Sequence, residues 1–156
     1  ILFLLPGSIN SKIVVNATGA RGSELLKPHG VALPLSPMKH SYVVSEAIEG
    51  LHQMMPNVRD HDYSIVFRIQ GKAFNLGGYE KNPILLEKIP SDFQFSLYDL
   101  DYSTFDEHIE GAIKLIPAFE NAGIKSTVCG PESFTPDHRP LMVRKFINLS
   151  QINFYL

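Results

Sequence analysis

The sequence predicts a mixed α/β fold (α+β) in which a mixed or antiparallel sheet carries a packed helix. Short runs of β-branched and aromatic residues, such as Tyr63–Gln70, lie between glycines and polar turns, as is typical of strands. The segment Phe105–Ile116 instead repeats apolar residues at helical spacing. With 156 residues, of which 44% are hydrophobic, the chain can bury a single core.

The N-terminal third predicts a strand, a turn, a helix and a second strand. Lys12–Ala17 is a short β-branched run, and Ala20–Lys27 has helical composition until Pro28 and Gly30 end it. The next extended run, Leu35–Ser45, predicts the second strand.

A β-hairpin is predicted from the extended runs Tyr63–Gln70 and Ala73–Tyr79. The two residues between them begin with Gly71, and glycine tolerates the positive φ that tight hairpin turns require. Strands joined in this way pair antiparallel, so the motif favours an antiparallel or mixed sheet.

One amphipathic helix follows the hairpin. Ser103, with Asp106 three residues later, resembles a helix cap, and Pro117 ends the pattern. The apolar residues between them fall at i, i+4, i+7, i+8 and i+11, on one helix face: Phe105, Ile109, Ala112, Ile113 and Ile116. We expect this face to pack on the sheet.

The C-terminal third begins with a predicted strand, Ile124–Val128, that leads into a proline-rich loop between Gly130 and Met142. Three prolines fix φ there and push each preceding residue toward extended geometry: Pro131, Pro136 and Pro140. Such a loop loses little entropy when it lies against a ligand, although an ordinary surface turn has a similar composition.

Composition argues against several classes of function. A net charge of −2, without a basic run, gives no electrostatic basis for binding nucleic acid or an anionic membrane. The single cysteine, Cys129, excludes an internal disulfide and a multi-cysteine zinc site, and its apolar neighbours favour a buried thiol. No metal site is predicted, because successive residues of Arg59–Asp62 point to opposite faces of an extended chain. The apolar start, Ile1–Leu5, is much shorter than the roughly 20 residues of a membrane span.

Val14–Gly19 has the small residues that a dinucleotide site needs at the end of a strand. Ala17 and Gly19 would let backbone amides approach a phosphate or ribose closely. A tight strand-to-helix turn has the same composition, so this motif alone does not separate the two interpretations.

Six segments occur in a recognisable order: Val14–Gly19, Met38–Val44, Met55–Asp62, Leu76–Pro83, His108–Ile113 and Gly130–Met142. Together they resemble the dimethylglycine and sarcosine dehydrogenase branch of the FAD-dependent amine oxidoreductase family, whose fold is similar to that of D-amino-acid oxidase. The resemblance extends from about residue 13 to residue 142. Residues 1–11 and 143–156 do not continue it, so we expect the chain to be an internal fragment of a longer flavoprotein.

The resemblance implies one partial FAD-dependent oxidoreductase domain over residues 1–156. Residues 12–34 would supply a late strand, a turn and a helix of the FAD domain, and residues 35–124 the substrate-binding sheet and helix. Residues 125–142 would form a return strand and the Thr-Pro-Asp loop, and residues 143–156 a divergent tail. A Gly-x-Gly-x-x-Gly motif for the FAD pyrophosphate does not occur in the sequence, so we expect the fragment alone to bind FAD poorly.

The resemblance places His40 in the substrate site and Ala17, Gly19 and Arg21 at the FAD cofactor. Hydride leaves an N-methyl carbon only when the amine nitrogen has a free lone pair, and an imidazole titrates in the range needed to take the ammonium proton. His40 could instead donate to the substrate carboxylate, or be a structural histidine bonded within a strand. Relatives commonly have tryptophan where this chain has Arg21.

Some relatives also have a tyrosine two residues before the arginine of the central strand. Val66 occupies that position before Arg68, which we expect to point outward. If the tyrosine hydroxyl orients the substrate in those relatives, Tyr63 or Tyr79 would have to replace it here.

The resemblance implies oxidative N-demethylation of sarcosine, an N-methyl amino acid, to glycine by hydride transfer to FAD. In such a protein the imine hydrolyses to glycine and formaldehyde, tetrahydrofolate captures the one-carbon unit, and electron-transfer flavoprotein accepts the electrons in the mitochondrial matrix. The isolated fragment is expected to be inactive. The alternative is a non-catalytic regulatory protein resembling the pyruvate dehydrogenase phosphatase regulatory subunit.

Overall fold

A computed structural model describes residues 11–94 and 96–142, and its main feature is a five-stranded sheet. The strands are β1 (Ser36–Ser45), β2 (Val58–Asp60), β3 (Ile65–Gln70), β4 (Ala73–Gly78) and β5 (Ile124–Phe134). Their order is β2-β3-β4-β1-β5, and the β2/β3, β3/β4 and β4/β1 pairs are antiparallel. The predicted mixed α/β class is confirmed, as is the β3–β4 hairpin with Gly71 at a positive φ of 67°.

The chain divides into two compact units, residues 1–36 with 133–156 and residues 37–132. In the first unit the predicted strand at Lys12–Ala17 is wrong, because these residues have no strand hydrogen bonding in the described part of the chain. The side chains of Ile13 and Val15 are exposed instead. A β-branched run becomes a strand only when a neighbouring strand supplies its hydrogen bonds.

The predicted helix of the first unit is present as three short consecutive turns. A 3₁₀ turn at Gly19–Arg21 leads into α1 (Gly22–Leu26), and a second 3₁₀ turn follows at Lys27–His29. Pro28 lies within this last turn and does not end it, since proline fits the first turn of a helical segment. Gly30 ends the helix in the left-handed conformation, with φ 68°.

One face of the sheet is covered by the long helix α2 (Tyr102–Leu115). Val43, Leu76 and Phe67 lie opposite one another on neighbouring strands and point toward this helix. The core has the following members: Val43, Ile65, Phe67, Phe74, Leu76, Phe105, Ala112 and Phe119. Burying each large apolar side chain stabilises the fold by about 1.5–3 kcal/mol relative to exposure.

Helix α2 has the predicted apolar face but a different N-cap. Asp101 is the cap, and its carboxylate accepts hydrogen bonds from the backbone N–H and the hydroxyl of Ser103. The predicted cap at Ser103 is therefore wrong by two residues, because the carboxylate of Asp101 reaches the free N–H groups first. The helix stops at Leu115, before Pro117, as predicted.

The proline-rich segment is extended over more of its length than predicted. Strand β5 runs past Pro131 to Phe134, which is possible because β5 is an edge strand and the missing N–H of a proline costs no ladder bond on an open edge. The loop proper is Thr135–Met142, where the Thr135 hydroxyl donates to the backbone oxygen of Arg139 at 2.8 Å. In the described part of the chain, no helix has the length and apolar character to cross a membrane.

Candidate active site

His40 lies in β1 on the face of the sheet opposite α2. Val43 pairs with Leu76 in the core, and the preceding residue, Tyr42, pairs with Gly77. Because successive side chains of a strand point to opposite faces, Tyr42 and His40 share the face that Val43 does not use. The His40 ring stacks on the ring of Tyr79, with centroids 5.0 Å apart and an interplanar angle of 19°. This contact fixes the plane of an imidazole that is only partly buried.

Two carboxylates flank the two ring nitrogens of His40. Glu80 Oε2 lies 3.4 Å from Nδ1, and Glu132 Oε2 lies 3.6 Å from Nε2. The Glu80 side chain is 6% exposed, whereas that of Glu132 is 51% exposed. We call Glu80, His40 and Glu132 the His40 trio.

The carboxylates make His40 easier to protonate. The hydrogen bond to Glu80 is the largest influence and raises the pKa of His40 above its ordinary value; burial lowers it, and the charges of Glu80 and Glu132 raise it further. With both carboxylates ionised, the His40 trio carries one net negative charge when the imidazole is protonated and two when it is neutral. In either state the trio favours a cationic group of a ligand.

A second histidine, His108 of α2, lies on the covered face. It is fully buried, and neither ring nitrogen has a partner at hydrogen-bonding geometry among the described residues. Burial is the main influence and lowers its pKa, while the charge of Glu80 and the nearby backbone of Tyr63 act in the opposite direction. Its ring lies against Gly78, where an added Cβ would be 2.8 Å from Cε1.

The predicted cofactor residues form a small exposed turn in the unit of residues 1–36. Asn16 organises the turn, because its side chain accepts from the backbone and hydroxyl of Thr18 and donates to the backbone oxygen of Gly22. Ala17 and Gly19 are exposed, and among the residues that the structure describes no atom lies within 4 Å of where a Gly19 Cβ would be. The backbone at this turn is therefore open on its surface.

Arg21 already has an acidic partner in its own turn. Its guanidinium forms an ion pair with Glu24 at 2.9 Å on the surface of the turn. An approaching phosphate would have to compete with this carboxylate for the arginine.

Tyr63 and Tyr79, either of which could replace the hydroxyl that Val66 lacks, lie on opposite faces of the sheet. Tyr63 packs under α2, where an added Cβ on Gly111 would be 2.8 Å from its Cβ, so it does not share the face of His40. Tyr79 stacks on His40 and is exposed. Val66 lies on this same face, opposite Gly77, and Arg68 points outward as predicted.

The other residues with potential chemistry do not join the His40 trio. Arg59 lies over the ring of Tyr79, with 5.7 Å from its guanidinium carbon to the ring centroid. Cys129 is buried, as predicted, in the wall of a shallow recess that Glu80 and Ser41 also line. Within residues 11–94 and 96–142, no group of three or more acidic, histidine or cysteine side chains has the geometry to hold a metal ion.

Sequence reasoning missed the two carboxylates of the trio. Glu80 follows Tyr79 immediately after β4, and Glu132 follows Pro131 within β5. Both lie inside segments that carried the family resemblance, but they are 52 positions apart and no spacing rule links them. The signal in the sequence was that Glu80 directly follows an aromatic residue just after a strand, and that Glu132 directly follows a proline inside one.

Comparison with known proteins defines the class. The profile of the family described as FAD dependent oxidoreductase matches residues 5–156, so the chain belongs to the FAD-dependent oxidoreductase family. Mitochondrial sarcosine dehydrogenase of Mus musculus is 57% identical over 136 residues, which are 87% of this chain and 15% of that protein. The mitochondrial pyruvate dehydrogenase phosphatase regulatory subunit of Mus musculus is 26% identical over 140 residues, which are 87% of this chain and 16% of that protein.

The fold has a counterpart of known structure. The crystal structure of L-proline dehydrogenase from P. horikoshii superimposes with a TM-score of 0.67 and 26% sequence identity, over 86% of this chain and 34% of that chain. The predicted FAD-dependent oxidoreductase fold is confirmed. The chain spans about 15% of the length of the sarcosine dehydrogenase that it matches.

Proposed function

We propose that the protein is a flavin-dependent amine dehydrogenase that oxidises the N-methyl group of sarcosine, and that His40 takes the proton of the substrate ammonium. The observation that carries this proposal is the His40 trio, an imidazole held between two carboxylates on the sheet face opposite α2. Its sequence context supports sarcosine as the substrate, since the chain is 57% identical to sarcosine dehydrogenase of Mus musculus.

The chemistry begins with a proton. At neutral pH the substrate nitrogen is an ammonium, and its lone pair must be released before a C–H bond of the methyl group can break heterolytically. The net negative trio attracts the ammonium, and neutral His40 accepts its proton while Glu80 stabilises the resulting imidazolium. Bound FAD would supply the acceptor for the hydride of the N-methyl carbon. Water then adds to the substrate imine, releasing glycine and formaldehyde.

The remaining parts of the proposal concern the cofactor and the setting. Ala17 and Gly19 would present open backbone to FAD, and Arg21 would exchange Glu24 for a cofactor group. Residues 12–34 would belong to the FAD domain, and residues 35–124 and 125–142 to the substrate-binding side. A mitochondrial matrix location, electron-transfer flavoprotein as electron acceptor and tetrahydrofolate as one-carbon acceptor complete the proposal.

The test is anaerobic flavin reduction in the full-length, FAD-loaded protein. Sarcosine should remove the absorbance of the oxidised flavin and yield formaldehyde, whereas glycine, which lacks the methyl group, should do neither. His40→Asn should slow reduction by about 10²–10⁴-fold, the range of a general base, while His61→Asn, at an exposed position outside the site, should not. Absence of reduction by sarcosine in the FAD-loaded wild type would overturn the proposal.

A second candidate is a non-catalytic regulatory protein, and Val66 is the observation that favours it. This position lies on the face of His40 and has no hydroxyl, so a substrate-orienting group present in some amine dehydrogenases is missing unless Tyr79 replaces it. The same experiment separates the two candidates, because a regulatory protein would bind FAD without being reduced by any N-methyl amine.

A further inference from the structure

We propose that the His40 trio is a directional proton path, in which Glu80 orients His40 and Glu132 carries the substrate proton from Nε2 to solvent. This proposal rests on the proposed function, because it takes His40 as the acceptor of the ammonium proton. It adds two residues with different roles, a positioning carboxylate and an outlet carboxylate.

The direction follows from the unequal burial of the two carboxylates. Glu80 is 6% exposed and faces Nδ1, so it has little water with which to exchange a proton. A buried carboxylate at this distance keeps the proton of a neutral imidazole on Nδ1 and leaves Nε2 with its lone pair. The stacked ring of Tyr79 holds the imidazole plane, so Nε2 points in one direction.

Glu132 has the properties of an outlet. Its side chain is 51% exposed, and its Oε2 lies 3.6 Å from Nε2. That separation is longer than a direct hydrogen bond, so a small movement of an exposed side chain can make or break the contact. Glu132 can therefore take a proton from Nε2 and give it to bulk water.

The proton steps balance without any further reactant. The substrate N–H bond breaks and an Nε2–H bond forms, so His40 becomes an imidazolium between two carboxylates. After the amine has withdrawn from Nε2, Glu132 moves onto the same Nε2–H, which breaks as Glu132 is protonated. The Glu132 O–H bond then breaks as water takes the proton. His40 returns to the neutral state with its Nδ1 proton unchanged, ready for the next substrate.

The outlet is tested by timing proton release against flavin reduction. The full-length FAD-loaded protein is mixed anaerobically with sarcosine in weak buffer containing a pH indicator. In the wild type the two signals should coincide. In Glu132→Gln proton release should lag flavin reduction by about tenfold or more, and added imidazole buffer should remove the lag. Glu87→Gln changes an exposed glutamate outside the site and should behave as the wild type. Coincident signals in Glu132→Gln would overturn the outlet.

The role of Glu80 is tested by a pH profile. Glu80→Gln should move the midpoint of the kcat/KM profile for sarcosine to lower pH, and Glu80→Asp should move it partly back. A loss of activity at every pH with an unmoved midpoint would show a merely structural role and overturn the positioning assignment.

If the wild-type flavin is not reduced by sarcosine, the proposed function has failed. If it is reduced but Glu132→Gln shows no lag, only the proton path has failed.

Discussion

His40 and His108 lie on opposite faces of one sheet and both sense the charge of Glu80, but their pKa values move in opposite directions. His40 has a carboxylate near each ring nitrogen and is 24% exposed. His108 has no hydrogen-bond partner among the described residues and is fully buried. For His40 the hydrogen bond to Glu80 outweighs partial burial, whereas for His108 burial outweighs the charges of Glu80 and Glu107 and the backbone of Tyr63.

The difference arises at the end of β4, from Gly78 and the two residues that follow it. Gly78 points toward α2, and its missing side chain leaves the space that the His108 ring occupies. Tyr79 points the other way and stacks on His40, and Glu80 follows it. One short stretch thus helps to form a buried site for one imidazole and a partly exposed site between carboxylates for the other.

The largest effect is expected from closing the space beside His108. In Gly78→Ala the new Cβ would clash with the backbone oxygen of Ser64 and would lie 2.9 Å from His108 Nδ1. Because the nearer obstacle is backbone, the strand must shift, and we expect a loss of about 3 kcal/mol or more in the free energy of unfolding. Urea unfolding of the purified protein measures it.

Gly130→Ala is the matched control, since Gly130 also lies in a strand and an added Cβ there meets no atom of residues 11–94 and 96–142 within 4 Å. Its unfolding free energy should stay within about 0.5 kcal/mol of the wild type. Equal stability of the Gly78→Ala and Gly130→Ala proteins would mean that the close packing of His108 against β4 does not hold.

Much of the fold could be predicted, because local patterns determine it. The hairpin follows from Gly71 between two β-branched runs, and the buried face of α2 follows from its 3.6-residue period. The failures lie where a distant partner or a neighbouring residue decides. Lys12–Ala17 has strand composition without strand hydrogen bonds, and Asp101 caps α2 in place of Ser103.

The candidate site was predictable only in its central residue. The segment Met38–Val44 points to His40, but the protonation of His40 depends on Glu80 and Glu132, which the sheet brings together from distant positions. His108 also lay in a segment that carried the resemblance, but its isolation from hydrogen-bond partners depends on Gly78 and on helix packing. Sequence gives residue types, whereas a pKa shift depends on distance and burial.

The next effect concerns acid stability and His108. Folding lowers the pKa of His108, so this residue costs no stability when the pH is above its pKa in the unfolded chain. As the pH falls from that value toward the pKa in the folded protein, the unfolded chain binds the proton and the free energy of unfolding decreases. His108→Leu cannot take up this proton, although Glu80, Glu107 and His40 remain nearby. Between about pH 7.5 and pH 5 the unfolding free energy of the variant should therefore decrease less than that of the wild type. The slopes of the two proteins should differ by at most about 1.4 kcal/mol per pH unit.

The absolute stability of His108→Leu is not the readout, because leucine also changes the packing. Unfolding curves at both pH values give the difference for each protein, and His61→Leu, at an exposed position, should keep the wild-type difference. An unchanged pH dependence in His108→Leu would contradict the assignment of a neutral buried imidazole.

The smallest effect is expected from His40, with the opposite sign. Its pKa is raised on folding, so its contribution is fully present below the unfolded pKa and is lost as the pH rises through the folded pKa. Glu80 and Glu132 face the ring, and Tyr79 stacks on it. His40→Gln should therefore show a shallower decline in unfolding free energy between about pH 6 and pH 8.5, by less than about 1 kcal/mol because solvent screens a partly exposed site. His52→Gln, at an exposed position, should decline as the wild type does. If His40→Gln declined as steeply as the wild type, the carboxylates would not be stabilising the imidazolium, and the contrast between the two histidines would rest on burial alone.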